Sequence, residues 1–178
     1  MKDKISEETP LVGIEPSTIL SFRDEYPDLA ENDLREDAVR LGKNALLFEE
    51  FFMREADKGN ISATQFCNKP LEVKLHGHCQ QKAIASTLPT KRMLSFPENY
   101  NVQEIKSGCC GMAGSFGYEK EHYDLSMKIG EMILFPEIRK SEPSVKIAAP
   151  GTSCRHHIKD GTGVDAVHPI EIMYEALI

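Results

Sequence analysis

Four of the five cysteines in this 178-residue chain fall in a pattern that suits metal chemistry. Cys79 is followed after 29 residues by Cys109-Cys110-Gly111, and after 42 more by Cys154-Arg155-His156-His157. Adjacent cysteines rarely bond to each other, because the small ring they would close strains the peptide bond between them. Two thiolates at one backbone corner can instead bind two metal atoms of one cluster. Thiolate is a soft ligand that suits iron–sulfur clusters and zinc. The paired C-x-x-C units of a zinc ribbon are absent.

Histidines surround the pattern. His157 stands where the second cysteine of a C-x-x-C pair would fall, and His76 and His78 flank the approach to Cys79. Each imidazole can ligate metal, hydrogen-bond a thiolate, or serve as an ordinary polar turn residue. Gly111, Gly114 and Gly117 follow the cysteine pair but match no phosphate loop. Close packing against a cluster or a neighbouring backbone explains Gly111 and Gly114 better. Arg155 can hold the edge of an anionic cofactor or form a surface ion pair. Cys67, in a loop, reads as an incidental half-buried thiol. His122 and His168 read as structural.

The elements that must position these residues alternate between strand and helix. Leu11–Ile14 reads as a strand, with a short helix after it capped by Ser17 or Thr18. Residues 32–57 keep the 3.6-residue period of a helix, interrupted only by Gly42. Strands are expected at 73–75, 102–105, 145–149 and 164–167. Helices are expected at 80–88, from Pro89, at 119–134 with Pro136 ending it, at 154–158 capped by Ser153, and from Pro169 to Leu177. Such alternation implies an α/β fold, a mostly parallel sheet with helices on both faces. Sites in such sheets gather at the carboxyl ends of the strands. Cys79, Cys109, Cys110 and Cys154 each lie just past an expected strand, so they should converge on one edge.

The turn Glu15-Pro16-Ser17-Thr18 resembles Pro150-Gly151-Thr152-Ser153-Cys154, with Thr18 in the place of Cys154. The expected organisation is therefore a disordered leader over 1–10 and a single domain over 11–178. Within it, 11–70 is the end of a degenerate first repeat and 71–178 a second repeat carrying the cysteines. A chain that opens on a complete strand looks like the tail of a longer polypeptide. Net charge of −7 argues against a nucleic-acid partner, and no apolar run is long enough to span a membrane. An odd number of widely spaced cysteines points to a reducing, cytoplasmic setting.

Cys79, Cys109-Cys110-Gly111 and Cys154 resemble the cysteine-rich CCG domain of heterodisulfide reductase B, anaerobic glycerol-3-phosphate dehydrogenase C and glycolate or lactate oxidase iron–sulfur subunits. Gly13–Ser17, Phe22–Tyr26, Ser107–Gly117 and Gly151–His156 are similar to one subgroup, the C-terminal module of large FAD-linked oxidoreductases of D-2-hydroxy acids. The resemblance implies an electron-transfer module in which Cys79, Cys109, Cys110 and Cys154 bind a 4Fe–4S type cluster. His157 replaces the last cysteine of the family pattern, so zinc or an empty docking module is the alternative. The implied partners are FAD and ferredoxin-type domains outside these residues, and the piece alone is not expected to be active. Thiol redox chemistry at Cys109 and Cys110 is the weakest reading, since a spaced C-x-x-C is missing.

Overall fold

Val73 and Leu75 are buried on a strand whose other residues are at least partly exposed, and that strand is the centre of the larger sheet. The computed structural model describes residues 3–178. β3 (Leu71–Leu75) pairs in parallel with β4 (Tyr100–Glu104) on one side and β5 (Lys146–Ala148) on the other. The register sets Val73 beside Val102 and Leu75 beside Ala148. Because the three strands are parallel, their carboxyl ends share one edge. His76 follows β3 directly, and its N–H donates to the Ala148 carbonyl at 2.8 Å.

A smaller parallel sheet joins β1 (Leu11–Gly13) to β2 (Ala45–Leu47). The expected single helix over 32–57 is therefore corrected to α3 (Arg35–Lys43), β2, and α4 (Phe48–Asp57). The apolar run Ala45-Leu46-Leu47 fits either period, and tertiary pairing decides it. Ala45 and Leu47 are fully buried, and Leu11 N–H donates to the Asn44 carbonyl at 2.9 Å. Arg23 fixes this corner: its Nε donates to the Ala45 carbonyl at 2.8 Å, and its guanidinium pairs with Glu50.

α1 (Pro16–Ile19) is capped at Glu15 rather than by Ser17 or Thr18, and the Ser17 hydroxyl donates to the Glu15 carboxylate. After α2 (Glu25–Leu29) and the stretch just described, β3 leads into α5 (Cys79–Ile84) and α6 (Leu88–Leu94). The helix expected over 119–134 begins later and breaks at Ile133, giving α7 (Tyr123–Met132) and α8 (Leu134–Arg139). Pro136 sits inside the first turn of α8, where its missing N–H costs nothing, so it opens a helix instead of closing one. α9 (Thr152–Thr162) is longer than expected, has Gly151 rather than Ser153 at its cap, and stops at Gly163 with φ of 76°.

The strand expected at 164–167 reduces to a single bridge between Val167 and Ala148. α10 (Pro169–Ala176) begins two residues later, so the chain leaves the sheet at once. His168 caps that helix, its Nδ1 accepting from Ile170 N–H at 3.1 Å. Phe135 is fully buried in the core under the cysteine edge, in one cluster with Ile147, Ala149, Ile158 and Cys154. Gly130 and Gly161 let α7 and α9 close onto its ring; a Cβ at either would run into it. Of the stretch 1–10, residues 1 and 2 lie outside the described part. Ser6 and Thr9 form a turn, and the Glu7 carbonyl accepts from Arg54 at 2.9 Å.

Candidate metal centre

The edge at the carboxyl ends of β3, β4 and β5 brings four thiols and two imidazoles into one neighbourhood. Cys154 lies in the first turn of α9, and Cys79 is the first residue of α5. Cys109 and Cys110 hang from the loop after β4. One ligand atom each from His76, Cys110 and Cys154 lie within 4.8 Å of one another, and all three residues are buried. Cys79 and Cys109 are half-buried and form the outer side of the group.

The thiols act on each other in series. Hydrogen bonds from Cys110 and then Cys79 hold the Cys109 thiol far below its ordinary range, with the Gly111 and Ala113 N–H groups adding to them. The Gly111 N–H lies 3.3 Å from the Cys109 sulfur. The same contacts push Cys110 up, through Cys109 first and Cys154 second. Cys79 is pushed up by Cys109 and by burial. The Cys110 hydrogen bond draws Cys154 down to about 5 against its own burial, and His76 adds to the effect. Such a row of sulfurs shares its protons and readily exchanges them for a cation.

The loop after the cysteine pair follows a backbone path that few side chains would permit. Gly111 takes φ of 118°, Ala113 of 42° and Gly114 of 71°, a left-handed path that glycine allows at little cost. Ser126 anchors this loop by donating its hydroxyl to the Gly111 carbonyl at 3.0 Å. Lys82 donates to the Ser107 carbonyl at 2.7 Å, tying α5 to the loop ahead of the cysteine pair. The amino end of α9 favours negative charge at Cys154.

The histidines divide by role. His76 is fully buried; its Nδ1 is 2.8 Å from the Ser107 hydroxyl, and its Nε2 has no hydrogen-bond partner. His78 is buried with Nδ1 unpartnered, and its ring lies against Gly151. His157 is buried with Nε2 at 3.1 Å from the Ser126 carbonyl, and its ring faces Phe135. Arg155 donates to the Ala149 and Pro150 carbonyls at 2.9 and 2.8 Å, tying down the turn ahead of Cys154. Cys67 lies apart, in a separate core with Phe52, Phe66 and Met93.

Sequence reasoning placed His76 beside the approach to Cys79 as one of several imidazoles able to ligate metal or hydrogen-bond a thiolate, and it missed Ser107. The signal available was a histidine directly after a buried strand, where a polar side chain must find a partner.

These residues fit a thiolate-bound metal group: four sulfurs, an unpartnered buried nitrogen, and the Gly111 and Ala113 N–H groups directed at the Cys109 sulfur. The chain is 28% identical over 169 residues to D-2-hydroxyglutarate dehydrogenase of Pantoea ananatis, covering 94% of this chain and 16% of that protein. It resembles part of a larger dehydrogenase. With the D-2-hydroxyglutarate dehydrogenase of Haemophilus influenzae it shares 30% identity over 173 residues, covering 94% of this chain and again 16% of the relative. With one subunit of the anaerobic glycerol-3-phosphate dehydrogenase of Escherichia coli K12 it shares 29% over 168 residues, 94% of this chain and 40% of that relative. The chain thus spans well under half the length of these relatives. No family model and no solved structure matches it.

Proposed function

We propose that this chain is an iron–sulfur electron-transfer module of an FAD-linked D-2-hydroxyacid dehydrogenase. The observation that carries the reading is the row of four thiols at one sheet edge, running from half-exposed Cys79 and Cys109 to buried Cys110 and Cys154. Likeness to parts of two kinds of dehydrogenase supports it.

In this reading Cys79, Cys109, Cys110 and Cys154 hold the metal group, which supplies a one-electron redox centre when bound. Cys110 and Cys154 exclude water from its inner side. The Gly111 and Ala113 N–H groups stabilise its negative charge, and the Gly111 and Gly114 backbone lets the loop approach it. Arg155 and His157 shape the support, Arg155 by holding the turn and His157 by packing between Ser126 and Phe135. His78 closes the flank beside Cys154. The half-exposed side at Cys79 and Cys109 faces the partner, an FAD or ferredoxin-type domain outside these residues. The free thiols fit a reducing, cytoplasmic setting. Among the described residues no helix is long and apolar enough to cross a membrane.

Structural zinc is the second reading. The mutual closeness of His76, Cys110 and Cys154 favours it, since one further thiol would complete a Cys₃His site. A redox titration followed by electron paramagnetic resonance separates the two. Electron transfer predicts a reversible one-electron signal that Cys110→Ser removes; a metal-loaded protein silent in every redox state refutes it.

A further inference from the structure

The fate of one buried nitrogen is unaccounted for. His76 Nε2 is sealed from solvent, has no hydrogen-bond partner, and belongs to the residue grouped with Cys110 and Cys154. Leaving a buried polar atom unsatisfied costs its full desolvation, so such an atom points to a missing partner. The other ring nitrogen is already engaged: Nδ1 is 2.8 Å from the Ser107 hydroxyl oxygen. In the tautomer in which Nδ1–H donates to that oxygen, Nε2 carries no proton and is free to bind a metal held by Cys110 and Cys154. Metal-bound histidines are held this way, with the second nitrogen donating to a fixed acceptor. Ser107 is itself anchored, its carbonyl accepting from Lys82 and its N–H donating to the Ile105 carbonyl at 2.8 Å.

Resting on the cluster-binding reading above, we propose that His76 is a nitrogen ligand to the metal group held by Cys110 and Cys154. The neighbouring imidazoles do not compete for the role. His157 directs Nε2 at Ser126, and His78 stands outside the mutually close set. A neutral imidazole leaves the centre one unit less negative than a thiolate at position 76 would, which sets its reduction potential higher than in a His76→Cys variant, in the sense seen when histidine replaces cysteine in Rieske centres.

Protein labelled with ¹⁵N-histidine and purified without oxygen tests this by pulsed paramagnetic resonance on both members of the redox couple, one of which has an odd electron count. The expected result is one strongly coupled ¹⁵N nucleus, lost in His76→Cys, with the midpoint potential moved negative in that variant. Iron and sulfide present without nitrogen coupling would overturn the His76 assignment and leave the cluster reading standing. Coupling that persists in His76→Cys would equally overturn it. Absence of iron and sulfide would overturn both. The wild-type spectrum decides the question even if the variant fails to fold.

Discussion

Glu15 caps the helix that carries Cys154 from 137 positions away in the chain. Its Oε2 accepts from both the N–H and the hydroxyl of Thr152, each at 2.9 Å. Ile14, next to it, offers its carbonyl to His168 Nε2 at 3.0 Å. The turn after β1 is thus docked onto the turn after β5, and the smaller sheet braces the edge where the thiols lie.

Removing this cap should loosen that edge. Glu15→Ala is expected to cost about 1 kcal/mol, the typical value of a lost helix cap. Burial pushes the Glu15 carboxyl up, but the hydrogen bonds from Thr152 and Ser17 and the charge of His78 together leave the group below its ordinary value. A depressed carboxylate contributes stability above its unfolded value that is lost as pH falls through the folded one. Urea melts at pH 7 and pH 3 check this: wild type should lose its advantage over Glu15→Ala at the lower pH.

Glu49 behaves in the opposite sense. It is fully buried on α4, its Oε1 is 3.4 Å from the Thr90 hydroxyl, and burial raises its carboxyl from 4.5 to about 7. A raised carboxyl is neutral in both states below its unfolded value, and stability falls as pH climbs through the folded one. Glu49→Gln should therefore be more stable than wild type at pH 8, by on the order of 3 kcal/mol for a shift of this size. Near pH 4 the difference should vanish. Equal pH profiles in the two proteins would refute the assignment.

The loop beside the cysteine pair tolerates no side chain at Gly111. Its φ of 118° disfavours any other residue, and a Cβ there would run into the Ser126 carbonyl oxygen. Gly151→Ala would press on the His78 ring and come within 3.2 Å of the Cys154 sulfur. Both variants should lower metal content sharply while far-ultraviolet circular dichroism stays close to wild type. Gly163→Ala is the control: strained at φ of 76° but with no neighbour near its Cβ, it should cost stability and leave metal content unchanged.

Much of this arrangement was legible in the residues. Positions of the cysteines just past β3, β4 and β5 followed from strand patterning, because alternating strands and helices force a parallel sheet with one functional edge. Less legible were features decided by distant partners. β2 looked like helix because Ala45-Leu46-Leu47 fits both periods until β1 pairs with it. Pro136 looked like a helix end because its tolerance in a first turn depends on where the preceding helix breaks. The His76–Ser107 pairing joins the ends of two adjacent strands, and no local pattern in the sequence announces it.

Cys67 provides a negative test. Its sulfur lies 3.9 Å from the Tyr100 hydroxyl, in a core separate from the four grouped thiols. Cys67→Ser should leave metal content unchanged, whereas Cys110→Ser should abolish it. Elemental analysis of the two variants side by side distinguishes a specific site from general thiol binding.

The most direct measurement is iron, zinc and acid-labile sulfide in protein purified without oxygen. The account predicts iron and sulfide in near-equal amounts, about four of each per chain for a four-iron cluster, both lost in Cys110→Ser. Zinc, or neither iron nor sulfide, would contradict it.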